Sequence, residues 1–199
     1  MSLLIEAKRL DGQHVLLEPL SLVHAPGLFA IGQRTEDWQY LPRGGFVDLD
    51  DTIEWVQQAQ EIMARGEQLA YVLLDPATHA PLGSSRYLNI RSRDHGLEIG
   101  WTWLGHDAQR TAVNTEAKFL LLRQAFEDFG AYRVELKTDA RNLRSQAAIE
   151  RIGAKKEGIF RRHMLAQHGF VRDTVYYSII DTEWPEVKNR LLHRLSRNA

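Results

Sequence analysis

Two amphipathic segments follow each other in the middle of the chain, and their order constrains the fold more than any other feature. Residues 97–104 alternate between apolar and small or polar side chains, as in a strand with one buried face. The apolar face is predicted to carry Leu97, Ile99, Trp101 and Trp103, and the opposite face Glu98, Gly100 and Thr102. From residue 114 to 129, apolar side chains recur every three or four positions, which predicts a core-packed helix that stops at Gly130. A strand that leads into such a helix favours a sheet with helices packed against it.

Weaker patterns of the same two kinds fill the rest of the chain. Further strands are predicted over residues 14–20, 68–74, 82–91, 132–138, 156–165 and 171–180. Further helices are predicted over residues 22–31, 51–66, 142–152 and 184–196. No repeat or linker divides the chain, so we expect one α/β (α+β) domain over residues 1–199, with a core of about 10–183 and a C-terminal helix. Its mixed sheet would contain about seven strands.

The composition is that of an ordinary globular chain, and it excludes several classes of protein. The 199 residues carry 25 basic and 26 acidic side chains, and a formal net charge of −1 argues against a dedicated nucleic-acid binder. Without cysteine, there is no disulfide, cysteine-based zinc site or thiol nucleophile. The histidines show no ligand spacing, so no metal is expected. No apolar stretch is long enough for a membrane span, and we expect a cytoplasmic location.

The turn between the central strand and helix is the first candidate binding site. The first turn of a helix leaves amide N–H groups without partners and carries partial positive charge, which favours a phosphate. Arg110 lies in this turn and would add a full charge. The alternative is an ordinary capped helix with Thr111 or Asn114 as the N-cap. Neither common glycine-rich phosphate motif is present, which disfavours Rossmann or P-loop nucleotide binding.

Two motifs in the right order resemble those of the GCN5-related N-acetyltransferases (GNAT). The first is Glu98-Ile99-Gly100-Trp101, followed eleven residues after the glutamate by Gln109-Arg110-x-x-x-Asn114-Thr115. The second is Asn142-x-x-Ser145-x-x-Ala148 with Ile152-Gly153-Ala154. The chain is most similar to the RimJ/RimL-like branch, which acetylates N-termini of ribosomal proteins and, in some members, small amines. The order of elements matches the family fold from about residue 10 to 183.

This resemblance implies a place for acetyl-CoA and a role for each motif. The cofactor would lie where two central parallel strands, near residues 98–104 and 132–138, splay apart. The backbone of Thr102, Trp103 and Leu104 would hold the acetyl-pantetheine arm, and Asn142 and Ser145 would lie beside the thioester. The pyrophosphate would be bound by the turn and first helical residues, namely Gln109, Arg110, Thr111, Ala112, Val113, Asn114 and Thr115.

The chain departs from the family pattern at two places. The family's glycines in the pyrophosphate turn are replaced by Ala112 and Asn114, which keep their N–H groups but whose Cβ atoms restrict close approach and positive φ. Many members carry a tyrosine seven residues after the motif asparagine to protonate the departing thiolate. Here that position is Ile149, so Ser145 is the available hydroxyl.

Acetyl transfer to an amine requires a proton acceptor, because an alkyl ammonium must become neutral before it attacks. Our hypothesis is that Glu98 is this general base, since its strand neighbours Gly100 and Thr102 are small. The alternative is a surface or salt-bridged glutamate. Substrate-binding candidates are Trp38 and Tyr40, in a long loop over residues 32–50, and His163 and Tyr176, on two late strands. Loop aromatics can instead pack on the core, and the strand residues can form a cross-strand polar network.

A basic stretch over residues 141–162 contains seven basic and two acidic side chains. It would contact the CoA 3′-phosphate or ribosomal RNA, or form a solvated surface. The resemblance thus implies an acetyl-CoA-dependent N-acetyltransferase that uses direct attack by a primary amine. The alternatives are a transferase for another acyl-CoA and a non-catalytic acyl-CoA-binding domain of the same fold. A two-fold homodimer is expected on general grounds.

Overall fold

An eight-stranded mixed sheet forms the centre of the computed structural model, which describes residues 3–197. The strands are β1 (Leu10–Asp11), β2 (Leu16–Pro19), β3 (Leu69–Leu74), β4 (Pro81–Arg91), β5 (Gly96–Leu104), β6 (Arg133–Asp139), β7 (Lys155–Leu165) and β8 (Val171–Ile180). Their order in the sheet is β1-β2-β3-β4-β5-β6-β8-β7. Only β5 and β6 are parallel among these neighbours. The predicted seven strands are therefore joined by an eighth, the two-residue β1, which is too short to give a sequence pattern.

Helices cover both faces of this sheet. They are α1 (Ala25–Ile31), α2 (Leu49–Ala64), α3 (Val113–Arg123), α4 (Leu143–Ile152) and α5 (Trp184–Ser196). A π-helical turn, Gln124–Asp128, continues α3 up to Gly130, whose φ is +70°. Short 3₁₀ segments lie at Leu22–His24, Thr35–Trp38, Ser92–Asp94, His106–Ala108 and Gln167–Gly169. Within residues 3–197, no helix combines the length and the apolar character needed to span a membrane.

Local capping chemistry sets several helix ends. Helix α4 begins after Asn142, whose side chain accepts a hydrogen bond from the Ser145 amide at 3.0 Å, and it ends at Gly153 with φ +109°. The predicted start of α2 at residue 51 is wrong by two residues. Its N-cap is Asp48, whose side chain accepts a hydrogen bond from the Asp51 amide at 2.8 Å. Asp48 lies about one helical turn before Asp51, the residue at which the pattern placed the start.

Two separate hydrophobic cores lie on opposite faces of the sheet. The larger one packs α3 and α5 against β5, β6 and β8 through side chains such as Leu97, Ile99 and Leu121. The smaller one packs α1, α2 and the loop over residues 32–48 against β2 and β3. On this second face, α1 and α2 pack against other strands, and within residues 3–197 neither has an extensive contact with β6, β7 or β8. We call this part of the second face, over β6, β8 and β7, the uncovered face.

Candidate active site

The two parallel strands at the centre of the sheet separate after three paired residues. Gly96, Leu97 and Glu98 of β5 pair with residues 133–135 of β6. From Leu136 onward, β6 pairs only with β8, whereas β5 remains paired with β4 as far as Leu104. The pairing between β5 and β6 therefore ends at Glu98, and the unpaired part of β5 runs on to Leu104, as expected for the predicted splay. We call this place, where the two strands separate, the opening.

A β-bulge at Trp101 changes which side chains of β5 share a face. Trp101 has φ +49°, and the register with β4 shifts between the pairs Arg86–Gly100 and Ser84–Trp103. Beyond this point Trp103 packs in the smaller core, whereas Leu97 and Ile99 before it pack in the larger one. The strict alternation predicted over residues 97–104 is therefore wrong after Gly100. In particular, Thr102 does not share a face with Glu98, because one extra residue inserted in a strand turns the following side chains over.

The turn before α3 presents amide groups to the end of this opening. The N–H groups of Arg110, Ala112, Asn114 and Thr115 donate no hydrogen bond to any acceptor of residues 3–197. The N-cap of α3 is Ala112, without a side-chain cap, so both Thr111 and Asn114 were wrong as predicted caps. The Thr111 hydroxyl instead bridges the turn, donating to the Ala108 carbonyl and accepting from the Val113 amide.

The replaced glycines do not strain this turn. Ala112 has φ −67°, an ordinary helical value that any residue adopts. The left-handed residue of the turn is Arg110, with φ +62°. The positive φ therefore lies at Arg110 and not at Ala112 or Asn114, the two positions where the family pattern has glycine. What distinguishes this turn from the family pattern is the added volume of the two Cβ atoms.

Gln109 connects three segments around the opening. Its Nε2 donates to Asp37 Oδ1 at 2.6 Å and to the Leu104 carbonyl at 3.0 Å. Its Oε1 accepts from the Arg144 guanidinium at 3.0 Å. The side chain therefore links the loop over residues 32–48, the end of β5 and the start of α4, whereas the resemblance implied only contact of this residue with the cofactor.

The second motif lies across the opening, at the start of α4. Asn142 is the N-cap of this helix, and its side-chain oxygen is used by the Ser145 amide. The Ser145 side chain is half-buried. Asn142 thus caps α4. This role leaves the Asn142 amide nitrogen and the Ser145 hydroxyl as the groups with remaining hydrogen-bonding capacity.

Glu98 lies at the point where the strands separate, and it is an ion-paired carboxylate. It is 1% exposed, accepts from Asn89 Nδ2 at 2.6 Å and forms a salt bridge of 2.9 Å with Lys137 Nζ. Lys137 extends from β6, on the uncovered face of the sheet. The alternative of a salt-bridged glutamate therefore describes its contacts, and any role as a base has to be compatible with the neighbouring ammonium.

An aromatic and polar cluster lies next to this pair, on the uncovered face. Tyr176 packs on Phe160 with ring centroids 4.4 Å apart, and Lys137 Nζ lies 5.8 Å from the Tyr176 ring centre. His163 packs edge-on against both rings, and its Nδ1 is 3.1 Å from the Thr174 hydroxyl. Burial, together with the charges of Lys137 and Arg172, lowers the pKa of His163. The imidazole is therefore neutral at pH 7 and able to accept a proton.

The predicted His163 and Tyr176 are thus brought together, and an open concavity adjoins them. Its volume is about 840 Å³, and its lining includes Phe160, Arg161, Arg162 and His163. Both arginines belong to the basic stretch and are exposed. Other members of that stretch are engaged within the protein, since Arg141 pairs with Asp139 and Lys155 with Glu183.

The loop over residues 32–48 forms a roof that is fastened to the turn between β7 and β8. Gln167 Nε2 lies within hydrogen-bond distance of the carbonyls of Trp38, Leu41 and Arg43, at 2.8, 2.8 and 2.5 Å. Tyr40 is half-buried, and its carbonyl accepts from Arg172. We name the loop together with Gln167–Gly169 the acceptor roof, because it stands over the uncovered strands that carry His163 and Tyr176.

Trp38 lies inside the protein. It is 2% exposed, donates from its indole to the Gly32 carbonyl at 2.9 Å and packs against Phe46 and Trp103. The structure therefore assigns it the core-packing alternative, because a ring that is enclosed on all sides has no surface for an acceptor. Of the two loop aromatics, Tyr40 is the one with exposed surface.

Several residues of this region carried no sequence signal. Lys137 and Gln167 are isolated polar residues, and their partners are distant in the chain. Lys118, on α3, and Arg86, on β4, are both buried although neither has a carboxylate partner within the described residues. Lys118 interrupts the apolar stripe of its helix, and that interruption is the one signal that a sequence reader could have used. Over residues 3–197, no group of three potential ligands is arranged for a metal ion.

The sequence model of the acetyltransferase (GNAT) domain matches residues 14–155. This match covers more than half of the chain and includes both motifs described above. The protein therefore belongs to the GNAT family of acetyltransferases, as its motifs and its fold indicate, and the predicted family is confirmed.

Individual relatives agree with this assignment. The crystal structure of a GCN5-related N-acetyltransferase from Brucella melitensis is 30% identical in sequence and superposes with a TM-score of 0.89. The match covers 95% of this chain and 86% of that one. The crystal structure of a putative acetyltransferase from T. thermophilus is 33% identical with a TM-score of 0.85, over 96% of this chain and 99% of that one. The "Putative ribosomal N-acetyltransferase YdaF" of Bacillus subtilis (strain 168) is 32% identical over 96 residues, 48% of this chain and 51% of that protein. The chain spans about half the length of the first curated relatives it matches.

Proposed function

We propose that this protein transfers an acetyl group from acetyl-CoA to a primary amine. The observation that carries the proposal is the opening between β5 and β6, which leads to the start of α3, where several amide groups have no partner within residues 3–197. Amides with partial positive charge are suited to a pyrophosphate, and Arg110 adds a full charge beside them. The acyl-pantetheine arm would then lie along the backbone of Thr102–Leu104, with the thioester near Glu98 and Ser145.

In the proposed reaction, Glu98 accepts a proton from the acceptor ammonium, directly or through a water molecule. The amine nitrogen attacks the thioester carbonyl carbon, and the carbon–sulfur bond breaks. The nitrogen loses its second proton and the thiolate gains one, with Ser145 as the proposed donor to the thiolate. Lys137 lies beside the carboxylate, with its Nζ 2.9 Å from Glu98 Oε2, and would orient it at the point where the strands separate. No covalent acetyl-enzyme is needed, and the chain has no cysteine to carry one.

The acceptor would enter under the acceptor roof and contact Tyr40, His163 and Tyr176. A RimJ/RimL-like activity on the N-terminus of a protein is supported by the name of the Bacillus subtilis relative. A small-molecule amine is the other acceptor class that suits an opening of this kind. A cytoplasmic location and a two-fold dimer remain predictions, and the second is checked by the mass of the protein in solution.

Thermal unfolding with and without acetyl-CoA tests the binding part of the proposal. A ligand at about 100 times its Kd adds about 2.7 kcal/mol to the free energy of unfolding, and we expect Tm to rise by about 5–10 °C. Arg110→Ala should reduce this shift, whereas Arg93→Ala, an exposed arginine on the turn before β5, should not. No shift with the wild-type protein would refute the proposal.

Release of CoA in the presence of an amine panel then tests turnover. Peptides with free N-termini, polyamines and amino acids represent the acceptor classes, and N-terminally blocked peptides are the matched controls. Thermal stabilisation without release of CoA for any amine would identify a non-catalytic acyl-CoA-binding domain. Stronger stabilisation by a longer acyl-CoA than by acetyl-CoA would identify a different acyl donor.

A further inference from the structure

Lys118 is a buried amine under the strand segment that would hold the acyl donor. It lies on α3, is 7% exposed, and extends from the helix to the underside of β5. Its Nζ donates to Thr102 Oγ1 at 2.5 Å and to Ser85 Oγ at 3.3 Å. The two hydroxyls are 2.8 Å apart, so the three side chains form a closed hydrogen-bonded ring. Thr102 follows directly after the bulge at Trp101.

Among residues 3–197, this ammonium has no charged partner, which is unusual for a buried lysine. Burial alone lowers its pKa to about 7, and no carboxylate among the described residues contributes. The titratable side chains of the surrounding elements have other partners. Among the acidic groups, Glu116 of α3 accepts from the amides of residues 13–15, and Glu98 of β5 pairs with Lys137. On β4, the Tyr87 hydroxyl is hydrogen-bonded to Leu121 O and Gln124, and Arg86 donates to Gln68, whereas Lys188 of α5 pairs with Glu127. The groups that face Lys118 are therefore the two hydroxyls.

We propose that Lys118 is a positioning residue for the acyl donor: in its charged form it fixes Thr102, and with it the backbone that holds the acyl-pantetheine arm. This inference rests on the proposed function. Burying an unpaired charge lowers stability, so a charge kept in such a place is expected to have a function. The position of Lys118 suggests one, because Thr102 is the first residue after the bulge whose side chain lies on the face covered by α3.

The protonation state of Lys118 determines how the ring is bonded. An ammonium is a donor only, so Thr102 and Ser85 must both accept from it. A neutral amine can accept as well, which allows the Thr102 hydroxyl to reverse and loosens the constraint on the bulge. The ammonium also places a positive charge, in a low-dielectric interior, beneath the strand where the thioester oxygen and sulfur gain negative charge. Both effects weaken as the proton is lost.

The test compares the Kd of acetyl-CoA for wild type and Lys118→Met between about pH 6.5 and 8.5. Loss of a hydrogen bond to a charged group predicts about tenfold weaker binding by Lys118→Met at the lower pH. The ratio of the two Kd values should approach one at the higher pH, because the wild-type lysine is then neutral. The 3′-phosphate of CoA titrates near pH 6 in both proteins, and its effect cancels in the ratio.

Three further variants keep the result interpretable. Thr102→Val should give the same pH-dependent ratio as Lys118→Met, since it removes the hydroxyl that accepts. Lys118→Arg, whose charge is permanent, should bind without loss of affinity at the higher pH. Lys188→Met, at a partly exposed lysine of α5, is the matched control and should behave as wild type.

The outcomes separate the possible failures. A ratio that stays the same at all pH values would overturn the inference and leave Lys118 with a structural role alone. A ratio of one throughout would also overturn it. Wild-type protein that binds no acetyl-CoA at any pH would refute the proposed function and the inference with it. If Lys118→Met does not fold, Thr102→Val and the wild-type pH profile decide.

Discussion

Replacement of Glu98 by glutamine separates a catalytic carboxylate from one that only neutralises Lys137. The glutamine oxygen can still accept from Asn89, so the main change is the loss of negative charge beside the half-buried Lys137 ammonium. Breaking a buried pair by removing one partner costs about 3–5 kcal/mol. The Lys137 side chain is 16% exposed, so water solvates it in part and we expect about 2–3 kcal/mol. For a domain of this size, Tm should then fall by about 4–12 °C.

Turnover should fall independently of this loss of stability. Removal of a general base costs about 10²-fold or more, measured as CoA release with saturating acceptor below the lowered Tm. The double variant Glu98→Gln/Lys137→Met removes both charges, so Tm should recover most of its loss. If Glu98 is the base, turnover of the double variant should stay low.

Glu135→Gln is the matched control for this experiment. Glu135 is paired with Glu98 in the register of β5 and β6, and it forms salt bridges with Arg91 and Arg133. We expect this variant to lose stability but to keep its turnover. Recovery of both Tm and turnover in the double variant would refute the reasoning, because Glu98 would then serve only to balance the charge of Lys137.

Three further outcomes are expected. Gly153→Ala should lower Tm by about 2–12 °C, because φ is +109° there and an L side chain is strained by about 1–3 kcal/mol; unchanged Tm would contradict the assigned backbone. The hydrogen bonds from Arg133 lower the pKa of Glu157 to about 2, so its contribution to stability should be lost as the pH drops from about 4.5 towards 2. Glu157→Gln should therefore make the fall of Tm over that range smaller than in wild type. Gln167→Met should release the acceptor roof and raise the KM for the acceptor several-fold, with little effect on acetyl-CoA binding. The control Gln58→Met, on the exposed side of α2, should change neither quantity. Equal kinetics for the two variants would contradict a role for the roof.

The register of β5 shows where prediction from the sequence reached its limit. Residues 97–100 follow the predicted alternation, and the bulge at Trp101 then reverses it. Nothing in the local pattern distinguishes this case from a regular strand, because the residues after the bulge are again alternately large and small. The bulge is defined by pairing with β4, and pairing depends on residues that are distant in sequence.

Glu98 is a second example of the same limit. Its place at the end of the paired part of β5 follows from the motif, whereas its contacts come from Asn89 on β4 and Lys137 on β6. Whether a glutamate is free or ion-paired depends on three strands at once. The same is true of Trp38, since the sequence suggested a loop aromatic and the core around Phe46 enclosed it.

The sequence by itself determined the order of helices and strands, the family and the turn that would bind the pyrophosphate, because periodicity, caps and short motifs are local properties of the chain. The tertiary structure decided which side chains share a face of β5, which charges are paired, and how the acceptor roof is fastened. It also brought Lys118 under Thr102, although the two residues are 16 positions apart in the chain. These features depend on contacts between elements, and such contacts exist only after the sheet has formed.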